Sequence, residues 1–133
     1  MRIFTSRENC PFPLRALVHE FAGGDLFVLV EGGVGHLGAL TLSLPRESQG
    51  APGETRASTS VLTAPGHRDD EAAREMSDIL VRALGRKVGM VVGMHFPGLK
   101  PAELDLVRAE WRFLAREIAT AWPVEDNDGS RGN

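Results

Sequence analysis

Strand patterns fill the first half of the chain and helical patterns come late, and this order constrains the fold more than any other feature. Four predicted strands come before the first predicted helix, and one further strand separates that helix from the last. A doubly wound sheet would alternate strands and helices throughout. The order ββββαβα therefore favours an α+β fold, a mainly antiparallel sheet with two helices packed on it.

The strand patterns are runs of β-branched, aromatic and aliphatic residues that end at glycine or proline. The clearest is the continuous apolar run from Leu26 to Val30, closed by Gly32-Gly33. Such a run is typical of a buried strand followed by a tight turn. The other strands are predicted over residues 12–21, 36–44, 57–64 and 88–94.

Two segments place apolar residues at helical spacing. The first, residues 68–84, has three acidic residues at its amino end, where acids favour a helix, and Gly85 as a stop. The second begins at Pro101, a residue suited to the first helical position, and ends at Pro123. Its apolar stripe indicates packing against the core or against a second subunit. The stripe consists of Leu104, Val107, Trp111, Leu114 and Ile118.

The length of 133 residues fits one domain. We expect residues 1–122 to form a single α+β domain. Residues 45–56 are rich in Ser, Gly, Pro, Glu and Thr with little to bury, which predicts a mobile loop. Residues 123–133 have no core to join and are predicted to be a disordered tail.

Charge and cysteine content exclude several classes of partner and compartment. Fifteen basic and eighteen acidic residues leave a net charge of −3, with no basic block that could neutralise a row of phosphates, so nucleic acid is not expected as a partner. The single cysteine, Cys10, excludes an internal disulfide, and no apolar run is long enough to span a bilayer. The first residues lack a signal-peptide core, so we expect a cytoplasmic protein without membrane attachment.

Three of the four histidines, His36, His67 and His95, lie at the end of a predicted element next to glycine. Strand alternation puts Gly38 on the same face as His36 and Gly93 on the same face as His95. A glycine at such a position admits a ligand or another backbone, or it marks a bend or bulge. These residues alone do not decide between the two interpretations.

The segment Pro65-Gly66-His67-Arg68-Asp69-Asp70-Glu71 opens the first predicted helix. Its free N–H groups and the positive end of the helix dipole suit a phosphate. Asp70 and Glu71 follow His67 at a spacing that places imidazole and carboxylate near one helix face, where they could hold zinc, nickel, iron or manganese. The acids could instead serve only to complement the helix dipole.

Nucleophilic catalysis has little support in the sequence. There is no Gly-x-Ser-x-Gly motif, and Cys10 has no histidine next to it in sequence. The run Gly32-Gly33-Val34-Gly35 connects two predicted strands, whereas a phosphate-binding loop leads from a strand into a helix. His19 lies within the first predicted strand and is interpreted as a structural residue.

Three segments, in this order, resemble one known family: Gly35-His36-Leu37-Gly38-Ala39, residues 60–71 and Gly93-Met94-His95. It is the family of prenylated-flavin chaperones, the small D subunit of hydroxyaryl-acid decarboxylases such as gallate and vanillate decarboxylase. The resemblance runs from about Gly24 to Ala121, and residues 65–71 are its most specific part. The chain departs from the family pattern in its long 45–56 loop and after His95.

The resemblance implies a carrier that binds prenylated FMN in its reduced form, or FMN, assists its oxidative maturation and delivers it to a UbiD-type decarboxylase. A flavin prenyltransferase would be a further partner. Carried over by position, the resemblance implies that His36, His67 and His95 line the cofactor site, with Asp70 or Glu71 as further candidates. The predicted cofactor-binding residues also include Gly38, Gly66, Arg68 and Gly93. A divalent metal would take its ligands from His36, His67, Asp70, Glu71 and His95.

Two other classes of function stay open at this point. One is a small metal-dependent enzyme in which a metal-bound water attacks a substrate and Asp70 or Glu71 carries the proton. The other is a non-catalytic decarboxylase subunit that docks through the helix of Trp111. In either case a homodimer is expected, because twofold pairs are the commonest assemblies and a small sheet has an edge to protect.

Overall fold

The computed structural model of the chain describes residues 1–64 and 69–123. The described residues form one six-stranded sheet and two α-helices, which confirms the predicted α+β fold. The strands are β1 (Arg2–Thr5), β2 (Leu14–Glu20), β3 (Leu26–Gly33), β4 (Ala39–Glu47), β5 (Thr55–Thr63) and β6 (Val88–His95). The helices are α1 (Asp69–Leu84) and α2 (Leu104–Thr120), and a 3-10 turn at Pro101–Glu103 precedes α2.

The sheet has the strand order β1-β2-β3-β6-β4-β5. The last strand, β6, lies between β3 and β4; it runs parallel to β3 and antiparallel to β4, and all other pairs are antiparallel. In this register Gly33 is opposite His95, and Ala39 is opposite Val92. The carboxyl ends of β3 and β6 therefore meet the amino end of β4 at one edge of the sheet.

Both helices cover the same face of the sheet. Helix α1 packs on β4, β5 and β6, and α2 packs on α1 and on β1 and β2. In β2, β3, β6 and the first half of β4, alternating residues point toward the helices and are buried, as the strand period of two requires. The centre of this core consists of Val18, Val28, Val30, Met76, Leu80, Met90, Val92, Leu114 and Ile118.

The opposite face of the sheet is covered by no helix among the described residues. We call it the open sheet face, and its side chains are mostly apolar. Leu42 and Leu62 on this face are 50% and 74% exposed. The apolar residues of the open sheet face are Ile3, Leu17, Phe27, Leu29, Leu40, Leu42, Leu44, Leu62 and Val91.

Arg86, just after α1, forms hydrogen bonds with the end of β2 and the turn that follows it. Helix α1 ends at Leu84, and the next residue, Gly85, has a φ of 65°, a conformation that glycine adopts without strain. The buried guanidinium of Arg86 then donates hydrogen bonds to the Gly24 carbonyl (2.8 Å) and to a carboxylate oxygen of Glu20 (2.9 Å). This contact fixes the end of the sheet opposite to the histidines.

Several element boundaries differ from the sequence-based expectation. Strand β1 was not predicted, and β4 begins at Ala39, so His36 precedes the strand. Strands β4 and β5 both extend into the 45–56 segment, where Arg46 pairs with Arg56, and only residues 48–54 connect them. Mobility of this connection stays a prediction, and the predicted tail lies outside the described residues from position 124 onward.

Within the described part of the chain, neither helix is long and apolar enough to cross a lipid bilayer.

Candidate functional site

Three polar side chains come together where β3 and β6 end and where β4 and α1 begin. His36 lies in the connection before β4, Asp69 is the first residue of α1, and His95 is the last residue of β6. We call these three residues the His-Asp cluster. The rings of His36 and His95 are 6.3 Å apart between centroids, in an edge-to-face arrangement. The parallel pairing of β3 with β6 brings these residues together from distant parts of the chain.

One ring nitrogen of His36, Nε2, lies close to two acceptor atoms of other residues. Its Nε2 lies 3.1 Å from the Met94 carbonyl oxygen and 3.3 Å from Oδ2 of Asp69. Because both neighbours are acceptors, Nε2 carries the proton and donates it to the Met94 carbonyl, with the Asp69 carboxylate as an electrostatic neighbour. A protonated Nε2 has no lone pair for a metal ion, so this nitrogen serves the fold in the arrangement observed.

Asp69 is the most deeply buried member of the cluster, with 3% of its surface exposed. Its Oδ1 accepts a hydrogen bond from the Met94 backbone N–H at 3.0 Å. Asp69 precedes Ala72, Ala73 and Met76 at helical spacing and so lies on the buried face of α1. The sequence analysis treated Asp69 only as an acid of the first helical turn, but this periodicity was the signal that could have placed it in the site.

The two glycines predicted to clear space beside the histidines are both needed, and the space beside them holds atoms of the chain itself. A Cβ atom at Gly38 would clash with the Asp69 carboxylate, and one at Gly93 would clash with the His36 backbone carbonyl. Of the alternatives that the sequence left open, the structure thus shows close approach of another backbone at Gly93. These glycines allow the cluster to assemble, and the space for a ligand lies elsewhere.

That space is a cavity of about 390 Å³ between α1, the end of β6 and α2. Its polar lining is Asp69, Glu71 and His95, so the cavity borders the His-Asp cluster. Its walls are otherwise apolar or aromatic, and are formed by Met94, Phe96, Leu99, Leu104, Val107 and Trp111. Apolar walls with a few convergent polar groups are characteristic of small-molecule sites.

Trp111 is the wall residue that sequence reasoning did not assign to a site. It is 2% exposed, and its indole Nε1–H has no hydrogen-bond acceptor within the described residues. The sequence pattern placed Trp111 on the apolar stripe of α2, which the structure confirms. Its unsatisfied donor is a property of the packed structure that spacing along the chain cannot reveal.

Asp70 and Glu71 are engaged by arginines. Asp70 lies 3.9 Å from Arg74 on the same helix. Glu71 accepts a bidentate hydrogen bond from Arg108 of α2, at 2.7 and 3.2 Å, and this carboxylate raises the pKa of Arg108 above its ordinary value. Both acids therefore have partners other than a metal ion.

The described residues do not support the predicted metal site. Among residues 1–64 and 69–123, no group of three or more His, Cys, Asp or Glu side chains is placed to hold a metal ion. Three of the predicted binding residues, Gly66, His67 and Arg68, lie outside the described residues. Their roles stay predictions.

Cys10 lies apart from the His-Asp cluster, in a second cavity bordered by β1, β2 and the end of β3. Partial burial raises the pKa of its thiol, the opposite of what activates a nucleophilic cysteine.

Gly33, in the glycine-rich run at the end of β3, packs its backbone on the His95 carbonyl, which accepts the Val34 N–H at 2.8 Å. This run lies between β3 and β4, so it connects two strands as the sequence predicted.

The fold and the cavity define a small α+β protein with an apolar, ligand-sized recess beside a histidine pair. The chain belongs to the prenylated flavin chaperone family: its residues 11–122 match the family described as the prenylated flavin chaperone LpdD-like domain. This match confirms the family that the motifs resembled.

Comparison with solved structures adds information about the fold. A chain in the crystal structure of a novel chaperone complex for yeast 20S proteasome assembly is similar, with a TM-score of 0.50 and 15% identity. The similarity covers 91% of this chain and 95% of that chain. At this identity it supports the architecture alone. No curated protein matches the sequence.

Proposed function

We propose that this protein binds prenylated FMN in its reduced form, assists its maturation and delivers it to a UbiD-type decarboxylase in the cytoplasm. The observation that carries the proposal is the cavity of about 390 Å³ beside the His-Asp cluster, in a chain that belongs to a prenylated flavin chaperone family. Its volume lies within the range of roughly 300 to 1,000 Å³ for small-molecule sites.

The cavity lining fits the ring system of a flavin. Trp111 and Phe96 offer aromatic surface, and Leu99, Leu104 and Val107 offer apolar surface for a flat, largely apolar ring. His95 and the unsatisfied Nε1–H of Trp111 offer polar groups for the ring edge. The redox chemistry belongs to the flavin itself, and the protein would contribute binding, orientation and exclusion of water.

His95 is the cluster member best placed to contact the ligand. It is exposed and lines the cavity, whereas the ring of His36 is held by Met94 and Asp69. We therefore assign His36 and Asp69 to positioning the end of β6, and His95 to the ligand. Gly66, His67 and Arg68 precede α1 in sequence and would extend the site toward the phosphate of the cofactor.

The binding step is tested by anaerobic titration of the protein with reduced prenylated FMN, followed by calorimetry and by gel filtration of the mixture. We expect a complex with wild-type protein and a loss of affinity of at least about tenfold for His95→Ala, the loss of one strong polar contact. The matched control is His19→Ala, because His19 packs edge-to-face on Phe21 at the opposite end of the sheet. Elution of the cofactor as free ligand with wild-type protein would refute the proposal.

The delivery step needs a separate experiment. Protein loaded with prenylated FMN is mixed with a cofactor-free UbiD-type decarboxylase, and decarboxylation of its aromatic acid is followed over time. We expect activity to appear faster than with the same amount of free cofactor. Equal rates with and without this protein would confine its role to binding.

The open sheet face supports assembly with a second copy of the chain. Leu62, Leu40, Val91, Leu29 and Leu17 lie side by side across β5, β4, β6, β3 and β2, and form one apolar row perpendicular to the strands. No charged residue interrupts this row. A twofold contact places a surface against itself, and an uncharged apolar surface meets its copy without like-charge repulsion. A homodimer built on this face is therefore the assembly that we propose.

A further inference from the structure

Trp111 and Trp122 are both buried, but their surroundings differ. Trp122 packs against Phe4 at 5.8 Å between ring centroids, and the guanidinium of Arg2 lies over its ring at 4.6 Å. Trp111 lines the cavity, and within residues 1–64 and 69–123 its Nε1–H donates to no acceptor. A buried indole N–H normally has a partner, because leaving the donor unsatisfied is unfavourable.

The position of Trp111 in the cavity wall indicates where its missing acceptor would come from. The neighbouring wall residues from α2 and the preceding turn, Val107, Leu104 and Leu99, are aliphatic and offer no side-chain acceptor. Trp111 is itself one of the lining residues of the cavity, so the cavity is open space next to this side chain. An acceptor atom on a molecule that enters the cavity would satisfy the donor.

The acidic groups of the cavity determine which part of a flavin nucleotide can enter. Asp69 is buried and lines the cavity, and Glu71 lines it as well, both from α1. Arg108 pairs with Glu71, so this guanidinium is already engaged by a carboxylate. A phosphate next to Asp69 would meet a like charge, whereas a neutral ring would not.

We propose that Trp111 is a ligand-binding residue whose Nε1–H donates a hydrogen bond to a carbonyl oxygen or ring nitrogen of a planar heteroaromatic ring in the cavity. In this arrangement the ring enters first and the phosphate stays outside the cavity, away from the Asp69 carboxylate. The inference rests on the proposed function and adds to it the donor and the orientation of the ligand. It places recognition of the ring on α2, for which the sequence pattern predicted packing against the core or a second subunit, or docking on a decarboxylase.

The experiment follows the two indole N–H signals by proton–nitrogen correlation spectroscopy of the wild-type protein. Trp111→Phe and Trp122→Phe variants assign the two signals. FMN and riboflavin serve as probes aerobically, and reduced prenylated FMN serves as the probe under anaerobic conditions. We expect the Trp111 signal to move downfield on saturation with each flavin, while the Trp122 signal stays in place.

Affinity measurements on the same variants give a second readout. Trp111→Phe retains an aromatic ring but lacks the donor, so we expect its affinity for reduced prenylated FMN to fall about fivefold to tenfold, which is the value of one hydrogen bond. Trp122→Phe should bind as the wild type does. Because Trp111→Phe removes an unsatisfied donor, its melting temperature without ligand should not fall below that of Trp122→Phe.

The results that would contradict the Trp111 inference differ from those that would contradict the proposed function. If the flavins bind but the Trp111 signal does not move and Trp111→Phe keeps full affinity, this inference is wrong and the proposed function stands. If no flavin binds the wild-type protein, both are wrong. Inorganic phosphate alone should leave the Trp111 signal unchanged, and a shift with phosphate in place of riboflavin would overturn the orientation with the ring inside.

Discussion

Oδ2 of Asp69 lies 3.3 Å from Nε2 of His36, and this contact links the start of α1 to the connection that leads into β4. The other oxygen of the same carboxylate accepts the Met94 N–H at 3.0 Å, and the Met94 carbonyl accepts the His36 proton at 3.1 Å. Asp69, His36 and the backbone of Met94 thus form a closed set of contacts. This set holds the end of β6, and with it His95, at the rim of the cavity.

Replacing Asp69 should therefore cost more stability than replacing its neighbour. Asp69→Ala removes the acceptor of the partly buried Met94 N–H and the carboxylate next to His36, so we expect the free energy of unfolding to fall by about 2 kcal/mol. Asp70→Ala removes only a partly exposed contact with Arg74 and should change it by less than about 0.5 kcal/mol. Urea denaturation of the two variants measures this difference, and equal losses would show that the Asp69 contacts contribute nothing specific.

Gly93 should tolerate no side chain. A Cβ atom there would overlap the His36 carbonyl, and backbone atoms on both sides would have to move. We expect Gly93→Ala to lower the free energy of unfolding by more than about 3 kcal/mol. Gly23→Ala is the control, because nothing lies within 4 Å of the added Cβ, and it should stay within about 1 kcal/mol of the wild type. Thermal unfolding of both variants provides the comparison, and a Gly93→Ala protein as stable as Gly23→Ala would contradict the close backbone approach.

The class of fold could be predicted because its signals are local. Apolar runs bounded by Gly and Pro located β3 and β6, and the 3.6-residue period located both helices. Strand β1, which consists of Arg2–Thr5, is short and largely exposed, so it carries no alternation that a sequence pattern could register. The position of β6 between β3 and β4 depends on long-range pairing, which no local pattern encodes.

The site could be predicted only in part, for a related reason. The resemblance grouped His36 and His95 as cofactor-binding residues, and their rings lie 6.3 Å apart between centroids. Their contact with the cofactor stays a prediction. The sequence could not show that Asp69 fills the space beside Gly38, since this contact depends on how α1 is docked. Nor could the sequence show that the indole N–H of Trp111 lacks a hydrogen-bond acceptor, because this depends on which atoms the fold places around it.

Charge on the open sheet face should prevent self-association. Leu42→Glu places a carboxylate on that face, where a twofold partner would bring a second one near it, so we expect the variant to be a monomer at micromolar concentration. Leu106→Glu is a matched control, because Leu106 on α2 is 52% exposed and Leu42 is 50% exposed. Light scattering coupled to gel filtration reports the mass of each variant. A dimer for Leu42→Glu, or a monomeric wild type, would refute this interface.

Cys10 should react more slowly in the folded protein than in the unfolded chain. Burial raises the pKa of its thiol. Because the thiolate is the reactive form, a raised pKa lowers the reactive fraction at any pH below that pKa, and the gap closes as the pH rises through it. The rate of alkylation by iodoacetamide, measured from pH 7 to pH 10, should therefore show a later midpoint in buffer than in guanidinium chloride, where the burial is lost. Coinciding midpoints would mean that water reaches the thiol freely in the folded state. A later midpoint would establish that Cys10 is a poorly reactive thiol, and would leave the cavity beside His95 as the place where the chemistry of this protein is to be sought.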